Sequence, residues 1–332
     1  MDVLAGLLDG PRARGAFLLR AIMDPPWSIR VEDRAPLTLV TVARGTAWAL
    51  PERGEPRRMG PGDVAVMRGP DPYGFADDPA TPPRAVIHPD GRSTTPDGAE
   101  LCEAMDLGVR TWGDGPVGAP PGGTSRTESG GGRAGGETVL LIGTYRVGGE
   151  ISRRLLGVLP ALLVLPRDAW DSGLTALLEE EIARDRPGQE VFLDRLLDLL
   201  LIAALRAWFA RPEAAAPAWY AAQGDPVVGR ALRLLHDDPA HPWTVAGLAA
   251  RAGVSRAALA RRFTELVGEP PMGYLTGWRL ALAADLLREP DSTLEAVARR
   301  VGYGSAFALS TAFKRVRGVS PQEYRGASAT TG

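Results

Sequence analysis

Five residues of this chain, Leu259, Phe263, Gly268, Pro271 and Tyr274, recur fifty positions later as Leu309, Phe313, Gly318, Pro321 and Tyr324. A second piece precedes each copy: Leu248-Ala249 with Gly253, then Val297-Ala298 with Gly302. That piece is offset by forty-nine, so the second copy carries one extra residue in its turn. A period of this size marks a supersecondary unit used twice. The unit reads as helix, glycine turn, helix, which is the pattern of a helix-turn-helix. Two such units point to an all-α C-terminal domain that grips two stretches of DNA groove.

Each copy can be built from its residues. Thr244 is the expected N-cap of a helix over 245–252, with Val245, Leu248, Ala249 and Ala252 on one face. Gly253 supplies the permissive backbone of the turn. Ser255 caps a second helix over 256–267, whose inner face is Leu259, Phe263 and Leu266. Gly268 ends it, and Pro270-Pro271 prevents its resumption. In the second copy, Ser292 or Thr293 starts the first helix and Gly302-Tyr303-Gly304 makes the turn. Ser305 caps a recognition helix with Leu309, Phe313 and Val316 inward. Between the copies a helix over 274–287 places Leu275, Trp278, Leu282 and Leu286 on one stripe. An earlier helix over 226–236 presents Val227, Ala231, Leu234 and Leu235 to the first unit.

Residues 225–326 resemble the DNA-binding domain of the AraC/XylS family of bacterial transcription regulators. The resemblance rests on Leu248-Ala249, Gly253-Val254-Ser255, Leu259, Arg261-Arg262-Phe263, Gly268, Pro271, Tyr274, Arg279, Ala283, Leu286-Leu287, Val297-Ala298, Val301-Gly302-Tyr303, Phe313-Lys314, Gly318, Ser320-Pro321 and Tyr324-Arg325. It implies two recognition helices in successive major grooves, one helical turn or about 34 Å apart, held by a rigid connecting helix. The expected DNA-binding residues are Ser255, Arg256, Ala257, Ala260, Arg261 and Arg262 in the first unit. In the second they are Ser305, Ala306, Phe307, Ser310, Thr311, Lys314 and Arg315. Arg256 and Arg261 point outward and are placed to read base edges, where arginine on guanine is the commonest specific contact. Arg262, Lys314, Arg315 and Arg317 are expected on phosphates. Many members of the family carry arginine where this chain has Thr311, so the second helix is expected mainly to position the protein.

Residues 225–325 carry 14 Arg and Lys against 10 Asp and Glu, net +4, while the whole chain is −2. Basic charge thus gathers where DNA would lie. Of the 38 basic residues only Lys314 is lysine, a coding bias rather than a functional signal. Met1-Asp2-Val3-Leu4 has no basic signal-peptide n-region, and no apolar run is long enough to span a bilayer. The single cysteine, Cys102, allows no intrachain disulfide and reads as inert rather than as a redox sensor or a DNA-repair acceptor. A cytoplasmic location with no membrane partner is expected.

The N-terminal part reads as β-rich, with strands expected at 27–31, 37–42, 46–50, 64–67, 85–88 and 138–145. Short strands at this spacing suggest a small barrel or jelly roll. The pieces Arg44-Gly45-Thr46-Ala47-Trp48 and Gly60-Pro61-Gly62-Asp63-Val64 resemble the cupin-type ligand-binding domain of many AraC-family proteins. The similarity continues more loosely through Gly143-Thr144-Tyr145-Arg146 to Leu159-Pro160. Trp27, Trp48, Tyr73 and Phe75 are the candidates to line a small-molecule pocket; the alternative is that each is a core aromatic. Many cupins hold a metal on clustered histidines, but this chain has only His88, His236 and His241, and Pro70-Asp71-Pro72-Tyr73 stands where a family histidine would follow the turn. No metal, no cofactor and no catalytic residue is expected. Gly130-Gly131-Gly132 lacks the lysine and the strand-to-helix context of a phosphate loop.

Amphipathic helices are expected at 172–184 and 190–209, separated by Arg186-Pro187-Gly188. Val191, Leu193, Leu196, Leu197, Leu200, Leu201, Ala204, Leu205 and Trp208 form a wide apolar band on the second. This pair resembles the hairpin through which AraC-type regulatory domains dimerise; packing wholly within one chain stays open. The resulting fold class is α+β multidomain, an N-terminal cupin-like β-barrel with a helical hairpin and a C-terminal all-α domain with two helix-turn-helix units. The expected domains are a cupin-like regulatory domain at 1–168 with a mobile loop at about 113–136 and a dimerisation hairpin at 169–211. A linker at 212–224, the DNA-binding domain at 225–326 and a disordered tail at 327–332 follow. The expected function is sequence-specific transcription regulation, with double-stranded DNA, a small-molecule effector and a second copy as partners and RNA polymerase as a further candidate. Two alternatives stay open: a ligand-independent dimeric regulator whose barrel is a scaffold, and a cupin enzyme.

Overall fold

The computed structural model describes residues 17–114, 138–145, 156–170, 173–182, 184–211, 214, 216–289 and 291–329. They divide into two compact units, one built from 12–147 and 159–214, the other mainly from 215–332. Most of the expected loop at 113–136, Gly130-Gly131-Gly132 within it, the first sixteen residues, Arg146 and the last three residues lie outside the described residues. Among the described residues no helix is long and apolar enough to cross a membrane.

The N-terminal unit has two sheets. Strands β1 (Phe17–Met23), β3 (Leu37–Arg44), β6 (Val64–Arg68), β10 (Asp106–Gly108), β11 (Thr111–Gly113), β12 (Thr138–Tyr145) and β13 (Leu162–Leu165) form one, in the order β10-β11-β1-β12-β3-β6-β13. Strands β2 (Ser28–Val31), β4 (Ala47–Pro51), β5 (Arg57–Met59), β7 (Tyr73–Ala76), β8 (Ala85–Ile87) and β9 (Ser93–Thr94) form the other, in the order β5-β4-β7-β2-β8-β9. Alternate residues of each strand face the other sheet, as the two-residue period of a strand requires. Val40 and Val42, Ala47 and Ala49, Ala65 and Met67, Tyr73 and Phe75 meet there in one core. The Gly60–Asp63 turn is tied down by Asp63, whose carboxylate accepts from the backbone N–H of Gly60 at 2.7 Å and of Arg167 at 2.9 Å. Asp63 thus serves to hold the chain between β5 and β6 against the segment after β13.

The seven-stranded sheet is buried on its other face as well. Helices α1 (Gly173–Ile182) and α2 (Gln189–Phe209) form the hairpin, turned at Gly188 with a φ of 81°. Leu193, Leu196, Leu197, Leu200, Leu201, Ala204 and Leu205 of α2 are all buried. The helix comes so close to β12 that a Cβ on Gly143 would lie 2.5 Å from the Leu197 side chain. Beside it, the Tyr145 hydroxyl donates to the Leu197 carbonyl at 2.8 Å. The apolar band expected to serve a partner therefore packs largely within its own unit, because β3 and β12 present a second apolar face of Leu37, Leu39, Val139 and Leu141. Val191 is the exception in that band, at 63% exposed.

The C-terminal unit is all helix. After α3 (Ala218–Ala221) come α4 (Val228–Asp237), α5 (Val245–Ala252), α6 (Arg256–Val267), α7 (Pro271–Leu286), α8 (Leu294–Arg300), α9 (Ala306–Arg317) and α10 (Pro321–Ala329). The expected linker thus includes a helix, and α3 packs against α6. The expected tail likewise begins inside α10. In α4 the buried positions are Val228, Ala231, Leu232 and Leu235 rather than Val227 and Leu234, a rotation of the inner face by one residue.

Both units are capped as their residues imply. Thr244 accepts from Gly247 N–H at 3.0 Å and Thr293 from Ala296 N–H at 3.2 Å. Ser255 and Ser305 accept from Ala258 and Ala308, each at 3.2 Å. Gly253 and Gly302 turn the chain with φ of 74° and 81°. The inner faces are narrower than expected. Leu259 and Phe263, and Leu309 and Phe313, are buried, but Leu266 is 38% and Val316 53% exposed. Each of the two lies in the last turn before its terminal glycine, beyond the depth of the partner helices. The connecting helix is buried on more than one stripe: Leu280, Ala281, Ala283 and Ala284 are enclosed along with Leu275 and Trp278.

Helix α7 serves one unit with each half. Tyr274 meets the Phe263 ring edge-on at 5.8 Å and hydrogen-bonds His236 at 2.8 Å. Leu280, Ala283, Ala284 and Leu287 pack with Val297, Leu309 and Phe313 of the second unit. From the middle of the helix Arg279 donates to the Pro239 carbonyl at 2.7 Å and the His241 carbonyl at 2.8 Å. The turn of the second unit closes against the same loop. A Cβ on Gly302 would lie 2.7 Å from the Ala240 carbonyl oxygen and 2.8 Å from the Arg279 guanidinium, whereas one on Gly253 would meet nothing within 4 Å.

The two turn glycines therefore make a matched pair. Gly253→Ala bears only the left-handed backbone cost of about 1–2 kcal/mol, while Gly302→Ala bears that and a backbone collision. Thermal melts of the two variants are expected to show Gly302→Ala losing at least twice as much stability; equal losses would refute the close approach.

Candidate nucleic-acid interface and ligand cavity

The outward side of the first recognition helix, α6, presents Ser255, Arg256 and Ala257, all exposed, with Ala260 half-buried beside them. Arg261 is 77% exposed and reaches Glu265 only at 3.8 Å, a loose surface pair. Both arginines assigned to base reading thus stand on an open helix face. Arg262 is placed otherwise. Its Nε donates to the Asp225 carboxylate at 2.8 Å, and the other Asp225 oxygen accepts from the N–H groups of Val227 and Val228. Arg262 therefore also ties the N-terminus of α4, with half of its side chain left open. Burial raises the Asp225 pKa, but the Val228 N–H and the Arg262 guanidinium outweigh it and hold the carboxyl below its usual value.

The second recognition helix, α9, presents a different surface. Ser305 is its cap, Ala306 and Ser310 are half-buried, and Thr311, Lys314 and Arg315 are exposed. Phe307, in its first turn, is 81% exposed. Arg317, expected on phosphate, lies over the Phe313 ring at 5.9 Å. Two further arginines, absent from the expected DNA-binding set, prove structural. Arg279 holds the loop before α5, and Arg325 donates to the Leu287 and Ser292 carbonyls, holding the loop before α8. Arginine donors near helix ends satisfy carbonyls left without intrahelical partners, and the sequence signal for this was their place in the family motif.

The N-terminal unit contains a cavity of about 680 Å³ between its sheets. Ala21, Ile29, Val31, Phe75, Trp112, Leu140 and Ile142 give it apolar walls. Polar groups interrupt these walls: Tyr73, Thr38, Thr144, His88, Ser93, Cys102, Thr111 and the charged Asp33, Arg34, Asp106 and Arg110. Tyr73 donates to Thr38 Oγ1 at 2.8 Å, and burial together with the Asp33 charge pushes its pKa well above the usual tyrosine range. His88 follows β8 and hydrogen-bonds Thr94 through Nε2 at 2.9 Å. Arg34 and Arg110 are the two non-glycine residues with positive φ among the described residues, at 56° and 50°, and both border the cavity.

Of the four aromatic candidates, Tyr73 and Phe75 border the cavity and Trp27 and Trp48 do not. Trp27 is fully enclosed in the core between the sheets. Trp48 alternates with the inward Ala47 and Ala49, so its side chain lies on the opposite face of β4. Trp112 is the tryptophan that does line the cavity, and the Gly-rich stretch after it masked its strand. Among the described residues no three histidine, cysteine, aspartate or glutamate side chains gather closely enough to hold a metal ion.

Comparison with known proteins agrees with this division. Residues 2–210 match the cupin family and residues 248–327 a helix-turn-helix domain family. An AraC-like transcription regulator of Streptomyces lividans is 34% identical over 98% of this chain and 98% of its own. A second, from Streptomyces antibioticus, is 43% identical over 60% of this chain and 68% of its own. Among solved structures, the DNA-binding domain of AdpA, a global transcriptional factor, in complex with a target DNA is 36% identical. That match covers 31% of this chain and 93% of that one, with a TM-score of 0.29.

The Asp225–Arg262 pair yields a direct measurement. A double-mutant cycle of Asp225→Asn and Arg262→Ala, read by chemical denaturation, is expected to give a coupling of about 1 kcal/mol or less, since Arg262 is half exposed. A carboxyl with a lowered folded pKa stabilises above its unfolded value of about 3.9 and loses that contribution as pH falls through the folded value. The coupling should therefore be present at pH 7 and be lost on acidification, as the pH falls through the lowered folded value. Zero coupling at pH 7 would show that the pair does not hold the N-terminus of α4.

Proposed function

This chain belongs to the AraC-like transcription regulators, and on that premise we propose that it is a dimeric regulator whose operator affinity is set by a small molecule held between the sheets of its cupin unit. It binds DNA through its helix-turn-helix domain and is a regulator rather than an enzyme. The observation that carries the effector reading is the cavity: its size and its mainly apolar walls with polar groups set among them are those of a small-molecule site. The left-handed backbones of Arg34 and Arg110 at its border support it, because strained residues gather at ligand clamps. Control then follows from linkage. An effector that binds one arrangement of the regulator better than another shifts the population, and DNA affinity moves by the same coupling free energy.

A second copy of the chain is proposed to cover Leu177, Val191, Phe192 and Leu199 on the hairpin, which stay exposed although most of the apolar band of α2 is buried. The likeness to the family further suggests RNA polymerase as a partner once the regulator sits on its operator. Its place of action is then the cytoplasm, where the chromosome is.

Sequence reading is assigned to Arg256 and Arg261 in the first unit. Arg261→Ala should weaken binding to a selected operator at least about fivefold in fluorescence anisotropy, matching the 1–3 kcal/mol or so of a good arginine–guanine pair, while random duplex loses much less. Equal losses on both duplexes would confine Arg261 to phosphate.

The effector reading is tested by filling the cavity. Ala21 is fully buried on its wall, so Ala21→Phe occupies the space without touching the DNA-binding unit. The parent protein is screened by anisotropy on its operator with a library of small organic acids, bases and neutral compounds. A compound that shifts the parent curve should leave Ala21→Phe unmoved, provided the variant melts cooperatively; the milder Ile142→Phe serves if it does not. A library that neither raises the melting temperature nor changes operator affinity would favour the scaffold alternative.

A further inference from the structure

We propose that the second recognition helix reads the 5-methyl group of thymine through Phe307. The inference rests on the reading that α9 lies in a major groove as α6 does. Among the described residues Phe307 is the most exposed large apolar side chain, at 81% where the next, Val191, is 63%. It takes no part in the core of the second unit, in contrast to Leu309 and Phe313 on the opposite side of the same helix. A phenyl ring left in water adds little to the packing of α9 and is free to meet a surface outside the chain.

Its place on the helix says what that is. Phe307 is the second residue of α9, in the first turn, and it is the N-terminal part of a recognition helix that touches base edges. Phe307, Thr311 and Lys314 fall on one line at i, i+4 and i+7 along the exposed side. Ala306, Ala308 and Ser310 around the ring are small, so nothing taller holds the helix away from the groove floor. The thymine methyl is the one apolar group that a base pair shows in the major groove, and phenylalanine is among the side chains that meet it.

The repeat sharpens the point. At the equivalent positions the first unit has Arg256, Ala257 and Arg261 where the second has Ala306, Phe307 and Thr311. The first helix thus offers guanidinium donors and no large apolar group; the second offers a phenyl ring and no guanidinium in the same turns. The operator should be correspondingly unequal. One half-site is expected to hold guanine opposite α6, and the other, one helical turn away, thymine opposite α9.

The test uses the full-length protein and the tightest duplex it selects from a randomised pool. Hydroxyl-radical footprinting first shows whether protection extends over one helical turn or two. Each thymine of the weaker-charged half-site is then replaced singly by deoxyuridine, which removes only the methyl. At one or two positions the parent protein should lose about fourfold in affinity, the value that ~0.8 kcal/mol per buried carbon group implies. Phe307→Ala should lose as much on the thymine duplex and respond no further to deoxyuridine there, while keeping its sensitivity to changes opposite α6. Because the side chain is exposed, Phe307→Ala should melt with the parent. Protection over two turns with no deoxyuridine-sensitive thymine, or with equal sensitivity in parent and variant, would overturn methyl reading and leave groove docking standing. Protection over one turn would overturn both.

Discussion

The two DNA-binding units are held in register by one helix and one guanidinium. Helix α7 has no face to spare: Tyr274, Leu275 and Trp278 belong to the first unit, Leu280, Ala283 and Ala284 to the second. Arg279 sits at the changeover, where it binds the loop ahead of α5 and meets the turn of the second unit at Gly302. Burial lowers its pKa from the usual arginine value, yet it has two carbonyl partners to offset the loss of water. The consequence is mechanical. A protein that reads two grooves must keep its two readers at a fixed separation, and here neither can rotate without breaking contacts made by the other.

The cupin unit solves a different problem. Its larger sheet is apolar on both faces, with a second sheet on one and the α1–α2 hairpin on the other, so its interior can be left partly empty without loss of integrity. An apolar cavity of this size costs contacts that a filled core would make. That cost is offset by the outer layer, where Gly143 lets α2 approach and Tyr145 pins it. A ligand between the sheets would restore the missing contacts, which is how a binding site becomes coupled to the stability of the domain around it.

The C-terminal architecture is legible in the residues because its signals are local and doubled. Four caps, the turn glycines and the terminal Gly268 and Gly318 stand where hydrogen bonding requires them, and the second copy checks the first. What escaped were matters of reach. Leu266 and Val316 lie on the right helical stripe but past the end of the packing partner, and stripe membership alone says nothing of depth. Arg262 shares its outward side with Arg261, and only the distant Asp225 reveals that it is engaged. In the N-terminal unit, strands with clear alternation were readable, while β1, β7, β11 and β13 depend on neighbours far off in sequence and β5, β9 and β10 are only 3, 2 and 3 residues long. The same holds for Trp48 and Trp112: which tryptophan meets the cavity is decided by strand parity and by the β1–β11 pairing, neither of which composition records.

The repeat is most informative where it fails. Residues shared by both copies are those that fold the unit: the caps, the glycines, and Leu259 with Phe263 against Leu309 with Phe313. The outward positions have diverged, arginine against alanine and threonine, alanine against phenylalanine. Duplication supplies two identical scaffolds, and divergence at positions that carry no packing changes recognition at almost no cost in stability. The replacement of an expected arginine by Thr311 then need not mean a weakened reader. With Phe307 one turn earlier, α9 offers apolar surface where α6 offers alanine and a hydroxyl where α6 offers a guanidinium, and on the proposed reading such a helix discriminates bases by the methyl group of thymine.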